Sequence, residues 1–378
     1  MAKKVSSRPS VRKAVNLPRH GIFLAREAKL AEIPWMHPKT PDTRPEGPID
    51  DTFFFKCFLC DTPLSNVRDT SNEDTHEHVF AQWMQDYFGI ADVPTSASDP
   101  NSITYDDLRI PACARCNNAY LSAFEDRIGK ALKSGFDDLA KLRKCDVFLW
   151  CAKIYYALVH NMVVPRDWAT RKPLEPQLPK KFLSDLVFLR VLLQGFRRRV
   201  LILGSVVAPY SVLLFRLHSG HDPGYFFRVM PTTRFPGIAL QLGSIGIVVV
   251  CDDYGECELA YDAVFARSLA QKTLVPIQFW ELAGRLLYRA STVPVATSWS
   301  VVLGEADMTL WLTAQPEQYS PMDPAEEASW ISQFTKEPPE QFWNAERQTG
   351  VSYLIKPDWT FNELEFFDTS PPRGSASR

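Results

Sequence analysis

The sequence predicts an α+β protein in which a small cysteine-bearing module precedes a helical segment and a larger mixed α+β domain. Three observations support this division. Two Cys-x-x-Cys pairs lie within the first third of the chain. Apolar residues at helical spacing follow over 140–164, and short strand-like runs punctuated by Gly, Pro and Asp follow over 201–315.

Length and composition indicate an ordinary water-soluble globular protein. The chain has 378 residues, so two domains are the starting expectation. It is 46% hydrophobic and 23% charged, and the formal net charge of -2 excludes a wholly basic nucleic-acid binder. The charge is uneven, however, because residues 1–44 hold ten Lys and Arg against three acidic residues. A basic end can therefore meet phosphates even though the total is nearly neutral.

The chain is expected to be cytoplasmic and to have no membrane partner. Its apolar runs fall far short of the roughly 20 residues that cross a bilayer. The basic start is not followed by the apolar run of a signal peptide. In a reducing compartment, paired cysteines favour a metal over a disulfide.

We expect five regions along the chain. They are a basic, flexible arm over 1–50, the cysteine module over 51–135, a helical segment over 136–200, an α+β domain of unknown role over 201–315, and an acidic C-terminal region over 316–378 that ends in a disordered tail. The arm is either a plain disordered extension or a DNA-contacting arm, with one candidate helix over 21–31.

Secondary structure follows from local patterns. The predicted helices cover 81–88 (ended by Gly89), 117–133, 140–164, 182–199 and 260–271. The predicted strands cover 53–56, 76–80, 108–111, 211–217, 225–229, 238–242, 245–251, 299–303 and 309–312.

The four paired cysteines predict a structural zinc site. They are Cys57, Cys60, Cys113 and Cys116. Each Cys-x-x-Cys pair can place two sulfurs at one turn, and four thiolates complete a tetrahedral zinc shell. Such a site stabilises a small fold and needs no catalytic role. The alternative is that both pairs are ordinary core cysteines.

An acid–histidine pair lies between the cysteine pairs, and an asparagine follows the second pair. These residues are Glu77, His78 and Asn117. The order Cys-x-x-Cys, Glu-His, Cys-x-x-Cys-Asn resembles the HNH endonucleases, and is most similar to the zinc-containing branch that includes phage junction-resolving and bacterial restriction and defence nucleases. The resemblance covers about residues 53–130 and implies a ββα-metal fold with a zinc site of four cysteines.

The resemblance also implies a role for each matched residue. Glu77 and Asn117 would hold a catalytic Mg²⁺ or Mn²⁺, and His78 would be the general base. The chemistry is consistent, because phosphodiester cleavage needs a nucleophilic water, a neutral histidine that accepts its proton, and a hard cation that offsets charge on the phosphate. Carboxylate and amide oxygens are suitable ligands for that cation.

The chain departs from the family pattern at three positions. Glu77 stands where Asp is common, Ala81 stands where Pro is common, and the last helix carries Glu125 instead of a further His ligand. Glu125 is therefore a possible site residue, or else a salt-bridging or capping residue. His76 is a possible ligand or phosphate contact, or else an exposed strand histidine. Arg115 is a possible phosphate contact.

The sequence thus favours a metal-dependent DNA endonuclease, with a role in restriction or anti-phage defence suggested by the resemblance alone. Its C-terminal domain would respond to DNA, a protein partner or a small-molecule signal. The alternative is a catalytically inactive zinc module that binds nucleic acid or organises a protein assembly.

Overall fold

The computed structural model shows a mixed α+β fold, which confirms the predicted class. The residues that it describes are 21–24, 56–64, 74–95, 102–165, 174–204, 208–220, 226–269, 271–292, 295–304, 307–316, 322–347 and 349–366. Apart from 21–24, the predicted arm lies outside these residues, as do most of the strand predicted over 53–56 and the tail beyond 366.

The strands are β1 (Gly21–Leu24), β2 (Asp74–His78), β3 (Arg109–Cys113), β4 (Arg199–Leu203), β5 (Ser211–Leu217), β6 (Phe227–Thr232), β7 (Gly237–Leu242), β8 (Ile245–Val250), β9 (Thr273–Leu274), β10 (Val295–Leu303) and β11 (Asp307–Pro316). The helices are α1 (Gln82–Phe88), α2 (Ser122–Ser134), α3 (Phe136–Ala140), α4 (Lys144–Val163), α5 (Lys181–Asp185), α6 (Val187–Leu193), α7 (Glu256–Val264), α8 (Ala266–Leu269), α9 (Pro276–Ser291), α10 (Pro324–Thr335) and α11 (Pro339–Phe342).

The cysteine module has a ββα arrangement. Strands β2 and β3 pair antiparallel, and the chain then passes through a π-helical turn, Cys116–Leu121, into α2. The connection between the strands carries α1, which ends at Gly89 in the left-handed conformation (φ 65°, ψ 37°). Glycine adopts this conformation without steric cost, which is why the helix ends there as predicted. Strand β2 lies two residues earlier than predicted, so His78 is its last residue.

Helix α4 is the central element of the fold. Of its 20 residues, 17 are buried, as expected of a helix that is apolar on all sides. One face contacts the module, where Trp83 stacks on Trp150 with ring centroids 6.5 Å apart. On another face the Tyr155 hydroxyl donates to the Thr232 carbonyl oxygen (3.0 Å), at the end of β6. The module, α4 and the sheet that contains β6 therefore share one continuous core.

The helix predicted over 182–199 is broken and shorter. The chain forms α5, α6 and a 3-10 turn at Gln194–Phe196 before β4 begins at Arg199. Arg199 pairs with Asp307 through two hydrogen bonds of 2.7 Å. The Arg197-Arg198-Arg199 run therefore leads into a strand and does not end a helix.

The remaining strands form two larger sheets. One has the order β1-β4-β11-β10, in which β4 is parallel to both of its neighbours. The other has the order β6-β7-β8-β5-β9. The helix predicted over 21–31 is wrong for residues 21–24, which form β1. A four-residue strand has too short a pattern to be recognised without its partner.

The C-terminal half contains three helices that the sequence did not predict: α9, α10 and α11. The helix predicted over 260–271 begins earlier and is divided into α7 and α8. Helices α9 and α10 pack around Trp280, Trp330 and Phe334 in a second core. Among the described residues, no helix is long and apolar enough to cross a membrane.

Candidate functional site

The four paired cysteines converge at one point of the module. Their sulfur atoms all lie within 4.8 Å of one another, and the Cys60 and Cys113 sulfurs are 3.6 Å apart. Four Zn–S bonds of about 2.3 Å at tetrahedral angles give sulfur–sulfur distances of about 3.8 Å. None of the four forms a disulfide. The cluster therefore has the geometry and chemistry to hold a metal ion such as zinc.

Local structure explains how the sulfurs meet. Cys57 and Cys60 lie on a turn closed by the pairing of Lys56 with Pro63 and by a hydrogen bond of 3.0 Å from the Asp61 amide to the Cys57 carbonyl. The second pair begins at the last residue of β3. A hydrogen bond with the Cys116 thiol lowers the pKa of Cys57 to about 5, so that one thiolate forms readily.

Side chains from α6 and from the 3-10 turn after it hold the turn that carries Cys57 and Cys60 in place. The Arg190 guanidinium donates to the Phe58 carbonyl oxygen (3.0 Å) and contacts the Asp61 carboxylate. The Gln194 amide donates to the Leu59 carbonyl oxygen (2.7 Å). The turn is thus fixed to the helical segment as well as to β3.

His78 ends β2 at the surface of the module, with a side chain that is 25% exposed. Its Nε2 lies 3.2 Å from Asp106 Oδ1. Asp106 is held in turn by Arg109, whose Nη2 is 2.8 Å from Asp106 Oδ2. Burial, and then the positive charge of Arg109, lower the pKa of His78 below its ordinary value of 6.5. The imidazole is therefore neutral at pH 7 and able to accept a proton.

Asp106 was not identified from the sequence. It lies just before β3, and the antiparallel register brings this end of β3 to the end of β2 that carries His78. A signal was present in the acidic pair Asp106-Asp107, which lies immediately before the strand predicted over 108–111.

Glu77 points to the opposite face of β2 from His78, as alternation along a strand requires. It is buried, and its Oε1 accepts a hydrogen bond of 2.5 Å from Lys153 Nζ. The same ammonium donates to Glu125 Oε1 (2.7 Å) and to the His78 carbonyl oxygen (2.8 Å). The structure therefore brings Glu77 and Glu125 together around a lysine that lies on α4.

Lys153 was also missed by sequence reasoning, although a signal exists. It is a single charged residue inside a long apolar run of α4, where an unpaired ammonium is very costly. Burial alone would lower its pKa, but the carboxylates of Glu125 and Glu77 outweigh that effect and raise it. The lysine is therefore charged. Burial raises the pKa of Glu125 to about 7.

The other predicted site residues lie near the antiparallel pair of strands β2 and β3. Asn117 is in the π-helical turn, and its Nδ2 is 3.5 Å from the His76 carbonyl oxygen, a long hydrogen bond. His76 is half-buried and shares a strand face with His78. Arg115 is exposed next to Cys116. Across the described ranges, the four cysteines form the one group of three or more His, Cys, Asp or Glu residues close enough to hold a metal.

A separate cavity of about 780 Å³ lies in the C-terminal half. Residues of α7, α9 and α11 line it, together with the segment 350–362. Its wall is mainly apolar and includes the cationic side chains Arg289 and Lys356. None of the predicted site residues contributes to it.

Comparison with known proteins gives no further guidance. No family model matches the chain, and no similar curated protein or solved structure was found.

Proposed function

We propose that the ββα module is an HNH-type endonuclease that hydrolyses phosphodiester bonds in DNA, with His78 as the general base. The observation that carries the proposal is the position of His78. It ends β2, is partly exposed, and has a pKa that burial lowers although the Asp106 carboxylate lies 3.2 Å away. A neutral imidazole at the edge of the module can take a proton from an attacking water.

Asp106 has an orienting role in this proposal. A carboxylate near one ring nitrogen favours the tautomer that carries its proton there. Nε2 is buried 3.2 Å from Asp106 Oδ1 without an aligned hydrogen bond between them, so in this proposal Nδ1 is the nitrogen that accepts the proton from water. Arg109 fixes the carboxylate through two contacts, to its side chain and to the Asp106 carbonyl oxygen (3.0 Å).

We further propose that the cysteine cluster holds one Zn²⁺, which stabilises the turns around the hairpin. Four sulfurs leave no open position for a substrate, so this ion is structural and takes no part in hydrolysis. Arg115, exposed beside Cys116, is proposed as a contact for a DNA phosphate.

A catalytic Mg²⁺ or Mn²⁺ at Glu77 and Asn117 does not fit the residues as they are arranged. The Glu77 carboxylate is already held by the Lys153 ammonium, which stands where the cation would have to bind. The proton transfer to His78 therefore does not depend on a cation at this position, and a cation that offsets charge on the phosphate would have to bind elsewhere.

A second candidate function follows from the pairing of Glu77 with Lys153. If the reaction requires a cation between Glu77 and the last helix, a module with Lys153 there is a zinc-containing nucleic-acid-binding module without nuclease activity. The His78 environment favours the enzyme, whereas the Lys153 pairing favours the binding module.

A nuclease assay on duplex, junction and single-stranded DNA tests the proposal. The zinc-loaded full chain is assayed with and without added Mg²⁺ or Mn²⁺. We expect His78→Ala to cleave about 10²–10⁴-fold more slowly, the usual contribution of a general base. The matched control is His218→Ala, an exposed histidine that follows β5 and has no role in the module.

The outcomes separate the two candidates. Equal cleavage by wild type and His78→Ala would contradict the role of His78. DNA binding at low salt by both proteins without cleavage by either would establish the binding module, since phosphate contacts are strongest at low salt.

A further inference from the structure

Lys153 has an unusual position for a lysine. Its side chain is fully buried (0% exposed) in the middle of the central helix, 76 residues along the chain from its first carboxylate partner. Long charged side chains usually reach the solvent, and buried ones are found paired. Here the ammonium is surrounded by oxygen atoms from the ββα module.

The contacts satisfy the ammonium fully. Its three protons have three close acceptors: Glu77 Oε1 at 2.5 Å, Glu125 Oε1 at 2.7 Å and the His78 carbonyl oxygen at 2.8 Å. The Val79 carbonyl oxygen lies further away, at 3.4 Å. Two carboxylates and two backbone carbonyls thus converge on one point.

That set of oxygens is of the kind that binds a hard divalent cation. Mg²⁺ and Mn²⁺ are held by carboxylate and carbonyl oxygens, and buried carboxylates bind such an ion most strongly when their negative charge is otherwise uncompensated. In this chain the compensating charge is covalently attached. It is supplied by α4, whose Lys153 reaches both Glu77 of β2 and Glu125 of α2.

We propose that the Lys153 ammonium is the resident cation of this site and takes the place of a divalent metal at Glu77 and Glu125. The inference rests on the proposed function only in identifying this point as part of a nuclease-like module. It has two consequences. The wild-type chain binds no divalent cation at Glu77, and removal of the ammonium opens a two-carboxylate cation site.

The position of the lysine also links the site to the rest of the fold. Because Lys153 belongs to α4, the carboxylates of β2 and α2 are oriented by the helix that carries the main core. A freely exchanging metal ion would not fasten the module to that helix. The backbone of His78 accepts one of the lysine hydrogen bonds, so the same contact fixes the main chain of the proposed base.

Binding of Mn²⁺ tests the proposal without relying on activity. The zinc-loaded full chain is titrated with Mn²⁺, and free Mn²⁺ is measured by electron paramagnetic resonance. We expect wild type and Glu77→Gln to bind the same amount. We expect Lys153→Met to gain one Mn²⁺ per chain, and the double variant Lys153→Met with Glu77→Gln to lose it again.

Each outcome of the Mn²⁺ titration supports or overturns the proposal. One Mn²⁺ bound by wild type and lost in Glu77→Gln would overturn the proposal. A folded Lys153→Met that gains no Mn²⁺ would also overturn it, since the oxygens would then form no cation site. Circular dichroism and zinc content establish whether Lys153→Met is folded. If it is not, the comparison of wild type with Glu77→Gln decides alone.

The test is independent of the nuclease proposal. A chain that cleaves no DNA can still give the expected Mn²⁺ result, and the nuclease proposal then fails while this one stands. Conversely, DNA cleavage that is lost in His78→Ala would support the nuclease even where wild type binds Mn²⁺ through Glu77.

Discussion

Lys153 on α4 and Glu77 on β2 form a buried ion pair with an Nζ–Oε1 distance of 2.5 Å. This contact joins the ββα module to the central helix, and Glu125 of α2 completes it. The expected cation ligand of the module is thus engaged by a protein side chain. The pair, the neighbouring histidine and the cysteine cluster each have effects that can be measured.

Replacement of Lys153 by Met is expected to destabilise the protein by about 3–5 kcal/mol, because removal of one member of a buried ion pair leaves uncompensated charge. Urea unfolding measures the change. The control is Lys141→Met, which removes an exposed lysine paired with Asp138. We expect no measurable change in the unfolding free energy of this control. Equal losses of stability in the two variants would show that Lys153 contributes no more than an exposed lysine.

Glu125 is expected to make stability depend on pH. Burial raises the pKa of Glu125 from 4.5 to about 7, so the folded state holds this proton more tightly than the unfolded state. Its contribution is complete below pH 4.5 and is lost as pH rises towards 7 and beyond. A shift of that size corresponds to roughly 3 kcal/mol.

Glu125→Gln tests this dependence, because the amide cannot titrate. The difference in unfolding free energy between variant and wild type should move in favour of the variant as pH rises from about 5 to about 8. The cysteine cluster titrates equally in both proteins and cancels. A difference that stays constant over this range would refute the assignment.

The cysteine cluster is expected to hold one zinc ion per chain, measured by elemental analysis of the purified protein. Cys116→Ser should lose the ion, because three remaining sulfurs give an incomplete shell. Cys145→Ala is the matched control, since this buried cysteine on α4 lies outside the cluster. Zinc retained by Cys116→Ser, or lost from both variants, would argue against a specific site.

Cleavage should depend on the protonation of His78. Because the pKa of His78 is lowered, the fall in activity at acidic pH should have its midpoint below pH 6.5. Asp106→Asn removes a negative charge that raises this pKa, so the acidic limb should move to lower pH. A pH–rate profile measures both, and the histidine resonances in NMR report the same shift if cleavage is absent.

Arg115 should contribute to DNA affinity without sequence preference. Arg115→Ala is expected to weaken binding uniformly and to reduce the slope of log affinity against log salt by about one. The control is Arg347→Ala, an exposed arginine of the C-terminal region. A change that differs between DNA sequences would instead indicate base recognition.

Local signals were enough to predict much of the module. Gly89 ends α1 where expected, and the helix after Cys116 forms at the expected place, because both depend on backbone preferences of nearby residues. Strand β5 has the predicted bounds, 211–217. The fold class and the meeting of the four cysteines could therefore be predicted from the sequence.

Long-range contacts could not be predicted in this way. The partners of Lys153 lie 76 and 28 residues away, and no local pattern states which carboxylates a buried lysine will meet. Asp106 approaches His78 only because of the strand register. Helix α9 is amphipathic, but it follows several strands, and the strand-like pattern of that region concealed it.

The pairing of β1 with β4 has a practical consequence for handling the protein. Residues 21–24 form the outer strand of the four-stranded sheet and cover one side of β4. A shortened chain that starts after Leu24 would leave the backbone amides and carbonyls of β4 open along that side, and an open strand edge is a template for self-association. Trimming of the basic N-terminal region, usually a harmless step before crystallisation, would here be expected to reduce solubility.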